Sequence, residues 1–262
     1  MPSFYKFQNR SQRLHLFKGN ITEAEFKGIL GHNDSTKKLR GKNNGNYLGH
    51  ITVKPVADEF ESKLMGRTAI VPYPKKQGKN TRYFLIQSNK CSLFGLDLNI
   101  DSLPFHEQDI AVGACASASL WIAQFAIQKW FDIPIRSLAE ITEISRLQTP
   151  YALPSPLYPS EGLTPSEIVA YLENIGIHFQ VYDIQSLEDK KIEMKTKAGI
   201  EVSLNELIED IIHAYFDAGF PIICNLDLGE DDNYNGHAVV LSGYKENKQK
   251  DIIELYLHDD KI

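Results

Sequence analysis

Cysteine, histidine and aspartate together can break an acyl bond, and this 262-residue sequence places one of each at informative positions. Cys115 opens CASASLWIAQFAIQKW, a stretch without Gly or Pro in which Ala118, Trp121, Ile122 and Phe125 fall at i, i+3, i+4 and i+7. That spacing predicts a helix with one apolar face. A thiol at a helix start lies among unpaired N–H groups and the positive end of the dipole, which favour the nucleophilic thiolate. His237 follows the turn signal Asn235-Gly236 and opens the strand-like run HAVVLSGY. A strand end is a rigid mount for a general base. Asp259 and Asp260 close the next strand-like run, DIIELYLH. If these two strands pair as a hairpin, the start of one lies beside the end of the other. A carboxylate then meets the imidazole, fixes its tautomer and steadies the imidazolium. Singly, each residue has a plainer reading: a small buried hydrophobe, a structural His, a solvated acidic pair. Their order along the chain is what suggests chemistry.

The elements around them are readable from caps and turns. Ser137 with Glu140, Thr164-Pro165 with Glu167, and Ser203 with Glu206 each predict a helix start, and Gly176 and Gly219 predict two helix ends. HFQVYDI at 178–184 and PIICNL at 221–226 read as strands, as do the runs that carry His237 and the aspartates. Helices first and an antiparallel sheet last predict an α+β fold. Residues 1–100 lean towards β: HITVKPV, TAIVPY and TRYFLIQ, the last two framing the loop PKKQGKN as a predicted hairpin. A short helix is predicted at 22–30, capped by Thr22 with Glu25. DLNIDSLPFHEQD reads as a connector, so the expected organisation is a β-leaning accessory domain at 1–103 and a second domain at 104–262.

With those elements in view, residues 104–262 resemble the papain-like cysteine peptidases, and most of all their peptidase C39-like branch. The carriers are EQDIAVGACASASLWIA, EGLTPSEIVAYLENIGIHFQVY, AGFPIICNL, GHAVVLSGY and LYLHDD. The resemblance implies a papain-like fold, with the Cys helix packed on an antiparallel sheet that carries His and Asp. It makes Cys115 the nucleophile, His237 the general base and Asp259 the residue that orients it, with Asp260 as the fallback. The family's Gly after the Cys is here Ala116, followed by Ser117. The family's oxyanion Gln lies six residues before the Cys, where this chain has Asp109; Gln108 is one residue further back. Gln108 serves if the loop differs by one residue, donating its amide to the developing oxyanion. Related domains continue beyond the equivalent of Ile262, so a truncated form is expected. The implied activity is hydrolysis of a peptide or isopeptide bond in a peptide or protein substrate. Two alternatives stay open: thiol acyl transfer or deamidation of the transglutaminase kind, and a catalytically degenerate papain-like binding module.

Composition narrows the rest. Hydrophobic residues make 42%, charged residues 24% and aromatic residues 10%, which excludes disordered, collagen-like and coiled-coil classes. No run approaches the ~20 apolar residues of a membrane helix, and no secretory signal opens the sequence, so a cytoplasmic protein without membrane partners is expected. Three cysteines (Cys91, Cys115, Cys224) cannot form a disulfide framework, and Cys224 lies in an apolar run that reads as core. The eight His residues lack metal-ligand spacing, and no Gly-rich phosphate loop occurs, so neither metal nor cofactor is expected. Residues 1–110 hold 17 basic and 10 acidic residues, whereas 111–262 hold 11 and 24. A basic half of this kind suggests docking onto the acidic half. Nucleic-acid binding is not expected, because the densest basic stretch, Lys37, Lys38, Arg40 and Lys42, has no interleaved aromatics. The acidic loop 227–236 lacks the ligand pattern of a calcium hand and reads as a solvated turn on the cleft rim.

Overall fold

The computed structural model describes residues 10–30, 46–57, 63–108, 115–147, 162–199, 201–228 and 236–259. Helix and strand are nearly balanced at 37% and 34%. The strands pair antiparallel, which makes the fold class α+β.

Caps set the helix starts. Helix α1 (Glu23–Leu30) begins after Thr22, whose hydroxyl accepts the Glu25 N–H at 3.2 Å while the Glu25 carboxylate accepts the Thr22 N–H at 2.8 Å. Beyond α2 (Cys115–Phe131), the same reciprocal pair opens three further helices. Ser137 and Glu140 open α3 (Leu138–Leu147), and Thr164 and Glu167 open α4 (Pro165–Asn174). After α5 (Ile184–Glu193), Ser203 and Glu206 open α6 (Leu204–Ala218). These bonds satisfy N–H groups that the helix itself leaves open. They also hold the Glu25, Glu140 and Glu206 carboxyls below the usual range, through backbone bonds first.

Three sheets lie among the described residues. In the first, β2 (Tyr47–Ala57) pairs with β1 (Gln12–Phe17), β3 (Lys63–Met65) and β4 (Ala69–Ile70). The second gathers β5 (Lys76–Gln77), β6 (Asn80–Phe84), β9 (Ile222–Asp227), β10 (Gly236–Glu246) and β11 (Ile252–His258). The third is the hairpin β7 (Gln87–Leu93) with β8 (Leu96–Ser102). Strand β10 is the axis of the second sheet. Its residues 240–246 pair with β11 on one edge, and on the other edge 236–241 pair with β9 and 243–246 with β6.

Helix α2 is buried on all sides rather than on the one face its apolar spacing suggests. Ala118, Leu120, Trp121, Ile122 and Phe125 pack with Leu138, Ile141, Tyr171 and Val240, and also with Leu85 and Leu103. Several of its buried polar atoms are paired: Ser117 Oγ lies 2.8 Å from Thr142 Oγ1, and Gln124 Oε1 accepts from Tyr171 and from the Arg136 N–H, while Gln124 Nε2 has no partner among the described residues. Such pairing lets a helix with Ser and Gln sit in a core.

Several expectations need correction. Residues 178–183 form no strand; Val181 and Tyr182 are exposed, and Asp183 caps α5 by accepting the Ser186 N–H at 2.7 Å. A short alternating run without a partner strand loses to a local cap. TAIVPY and TRYFLIQ do not pair with each other. β4 joins β2, while β6 folds back on Lys76 and Gln77 through a turn at Gly78, whose φ is 61°. The expected connector begins as strand β8, whose residues alternate buried and exposed against β7. The pairing of β6 with β10, and the burial of Leu85 and Leu103 against α2, cross the expected boundary at 103/104.

Gly243 permits that crossing. A Cβ there would fall against the Phe84 ring and 2.5 Å from the Tyr83 carbonyl oxygen, both on the paired strand β6. Gly243→Ala is therefore expected to lower the unfolding free energy by ~1–3 kcal/mol through overpacking. The urea midpoint at constant m-value checks this; an unchanged midpoint contradicts the close approach.

Candidate active site

Cys115 is the first residue of α2 and is partly buried. One helical turn on, and on the same face, stands Ser119. Its hydroxyl, buried in the core, donates to the Ala238 carbonyl at 2.9 Å. Ala238 follows His237 on β10, so this bond pins the start of the Cys helix to the start of the His strand. Breaking it would leave two polar atoms dry, at about 1–3 kcal/mol.

His237 is 8% exposed, and its Nε2 lies 2.8 Å from Asp259 Oδ1. Register explains the meeting. Val240 pairs with His258, so continuing the ladder sets Asp259 opposite Val239, and His237 is the next residue on that side of β10. The two are diagonal neighbours across the strands, within reach of long side chains. The contact engages Nε2 and so orients the ring through one of its two nitrogens. Asp260 and Asp109 lie outside the described residues, as do the basic stretch at Lys37–Lys42 and loop residues 229–235.

Gln108 ends a strap, 103–108, that the sequence read as part of a connector. The structure stitches this strap to residues before 104. Phe105 and Thr68 exchange main-chain bonds of 2.7 and 2.9 Å. Glu107 donates its N–H to the Met65 carbonyl at 3.1 Å, and its carboxylate accepts the Met65 N–H at 2.5 Å. On its other flank the His106 ring meets Trp121 of α2 edge-on at 5.0 Å. Arg67 adds a further tie, its guanidinium 4.6 Å from the centre of the Phe125 ring. Gln108 thus sits a few residues before the Cys helix on a segment clamped from both sides.

The other cysteines lie elsewhere. Cys224 stands on β9 opposite Val239, and burial pushes its thiol pKa up, which suits a core residue. Cys91 on β7 has its sulfur 3.1 Å from Tyr47 Oη, and the same oxygen lies 3.0 Å from His15 Nδ1 and 3.5 Å from His50 Nδ1. This cluster brings together residues far apart in sequence, so spacing could not reveal it. No group of three His, Cys, Asp or Glu among the described residues is arranged to hold a metal ion.

Sequence reasoning also passed over His258. Its Nδ1 is buried without a hydrogen-bond partner, and its ring meets Phe105 edge-on at 5.9 Å. Burial lowers its pKa from 6.5 to about 4. Comparison with protein-family models, with curated proteins and with solved structures finds no match. The roles of these residues therefore rest on their own geometry.

Two outcomes are expected. A 104–262 fragment lacks β6, Leu85, Leu103 and the clamps on the strap, so it should show no cooperative thermal transition; a sharp native-like melt would contradict the shared core. The second concerns pH. His258 binds fewer protons in the native state than in the unfolded chain, so its contribution to stability is full above about pH 6.5 and is lost as pH falls towards about 4. His50, also lowered to about 4 by burial, acts in the same sense. His258→Phe should narrow the gap between urea midpoints at about pH 7 and 4.5 without closing it. An unchanged gap would contradict the burial of this ring.

Proposed function

We propose that this chain is a cysteine-dependent hydrolase of peptide or isopeptide bonds with a papain-like arrangement of Cys115, His237 and Asp259. The observation that carries the reading is the 2.8 Å contact of His237 Nε2 with Asp259, on a strand tied to the Cys115 helix by Ser119. Oriented imidazole, helix-start thiol and a neighbouring amide donor are the parts that acyl transfer through a thioester needs.

In this scheme His237 Nδ1 takes the Cys115 proton and the thiolate attacks the carbonyl carbon. The oxyanion that forms accepts from the Cys115 main-chain N–H and the Gln108 amide. The tetrahedral species collapses when His237 returns its proton to the leaving amine, which departs and leaves a thioester. A water molecule, deprotonated by the same imidazole, then attacks the thioester. Its collapse releases the carboxylic acid and restores the thiol. Asp259 keeps Nε2 protonated and the ring aimed, and it stabilises the imidazolium in both steps.

Site-resolved alkylation of Cys115 across pH tests the first step, with mass spectrometry separating Cys91 and Cys224. A free thiol titrates near ~8.5 and an imidazole-paired one falls as low as ~3–4. Cys115 is expected to react well below neutral pH and to lose this in His237→Ala. Cys115→Ala should lower kcat/KM by at least about 10⁴-fold, and Asp259→Asn by about 10²–10⁴-fold with the fold intact. Ordinary thiol titration, or turnover that survives Cys115→Ala, would overturn the proposal. Incorporation of an added amine in place of water would move the reading to acyl transfer by the same thiol.

A further inference from the structure

Arg13, His15, His50 and Arg67 gather on one face of the first sheet. Register places the first three. Arg13 and His15 share a face of β1 and pair with Thr52 and His50 of β2, so Arg13 lies diagonal to His50. Arg67 comes to the other edge of β2: the Gly66 N–H donates to the Thr52 carbonyl at 2.7 Å, and the Thr68 hydroxyl accepts the Thr52 N–H at 3.4 Å. The Arg67 side chain donates to Asn89 Oδ1 at 3.1 Å, and Asn89 shares a face of β7 with Cys91, whose sulfur meets Tyr47 Oη. The His15 and His50 rings stand 6.0 Å apart. Exposure is graded across the cluster: the arginines are exposed, His15 is half-buried, and His50 and Tyr47 are buried.

None of the four basic side chains has a carboxylate partner among the described residues. Burial, and then the charges of Arg13, His15 and Arg67, lower the His50 pKa to about 4. Partial desolvation and then Arg13 lower that of Arg67. Positive charge gathered without compensation is unfavourable, and a bound anion would offset it. A metal cation would be repelled by the same arginines. The donors are also available. Both rings turn Nδ1 to Tyr47 Oη, at 3.0 and 3.5 Å, so each leaves Nε2 for another group. Neither Nε2 is sealed from solvent without a partner, and neither has a hydrogen bond among the described residues. The single phenol proton serves one Nδ1, which makes that ring an Nε2–H donor. The other ring gains an Nε2–H by taking up a proton, which an adjacent anion favours.

We propose that this cluster binds a phosphate group, with Arg13 and Arg67 supplying charge and paired N–H donors at the rim and Nε2 of His15 and His50 donating from the floor. Tyr47 holds both rings from behind through their Nδ1 atoms. The planar forks of the arginines suit the tetrahedral array of phosphate oxygens. Neither Cys115 nor His237 takes part, so the site stands whether or not the chain is a hydrolase.

Calorimetric titration of the full chain with inorganic phosphate, at an ionic strength held constant with chloride, tests this. One saturable site is expected, with a Kd of about 1 mM or tighter. Arg13→Gln, at an exposed position on an edge strand, should weaken it by at least ~10-fold. Lys248→Gln, the same loss of charge in the turn between β10 and β11, should leave it unchanged. His15→Gln should weaken binding in the same sense, and the Nε2 signals of His15 and His50 in a ¹⁵N spectrum should shift on saturation. O-phosphoserine, titrated in parallel, separates the sources: equal or tighter binding supports a phosphomonoester ligand, and its exclusion supports free phosphate. Absence of saturation at ~20 mM phosphate, binding that survives Arg13→Gln unweakened, or saturable Zn²⁺ binding in place of phosphate overturns the proposal.

Discussion

The hydrogen bond from Ser119 to the Ala238 carbonyl is the constraint on which the candidate site depends. Packing by itself would leave α2 poorly fixed along its axis, because Ala118, Leu120, Ile122 and Phe125 meet apolar neighbours all round. Hydrophobic contact is non-directional and tolerates small slides. A buried donor and acceptor do not tolerate them, since a slip of half a turn leaves both dry. Cys115 is one turn before Ser119 and His237 one residue before Ala238, so the bond sets the helix start against the strand start. Ser117 with Thr142 and Gln124 with Tyr171 repeat the device on the faces turned to α3 and α4.

β10 supplies the second half of the geometry. It is the only strand of its sheet, among the described residues, with partners on both edges along 240–241 and again along 243–246. A strand held on both edges is hard to shift, because a slip of one residue reverses every side chain. That rigidity reaches His237 through β9 and Asp259 through β11. It also draws in β6, whose Phe84 closes over Gly243. The basic N-terminal part is therefore structural support for the acidic part: it contributes a strand, two core leucines and the clamps on the strap. The charge difference between the halves accompanies that contact, which combines main-chain bonds at Thr68 and Met65 and the buried Leu85 with charged groups, the Arg67 guanidinium over Phe125 and the Glu246 carboxylate that accepts from Tyr83.

What the sequence revealed and what it hid divide by range. Cap residues act within three positions, so Thr22 with Glu25, Ser137 with Glu140, Thr164 with Glu167 and Ser203 with Glu206 were legible as helix starts. The strands β9, β10 and β11 were legible because apolar runs and turn signals are also local. The meeting of His237 with Asp259 followed from assuming the simplest hairpin. HFQVYDI misled because alternation proposes a strand without showing that a partner edge exists; the Asp183 cap with Ser186 was the better local signal. The β6–β10 pairing, the strap clamps and the Ser119 bond join residues tens to more than a hundred positions apart, and no short-range pattern encodes them.

The strap sharpens what the altered motif means. With Asp109 at the place of the expected Gln, the motif on its own suggests a lost oxyanion donor. The strap before it is nevertheless held by four main-chain and side-chain bonds to Met65 and Thr68. Rigidity just before the Cys helix is what an amide donor requires, because a donor that must reorganise during the reaction stabilises an oxyanion poorly. The bonds at Phe105 and Glu107 fix the backbone directly before Gln108, which stands one residue away from where motif spacing alone would look.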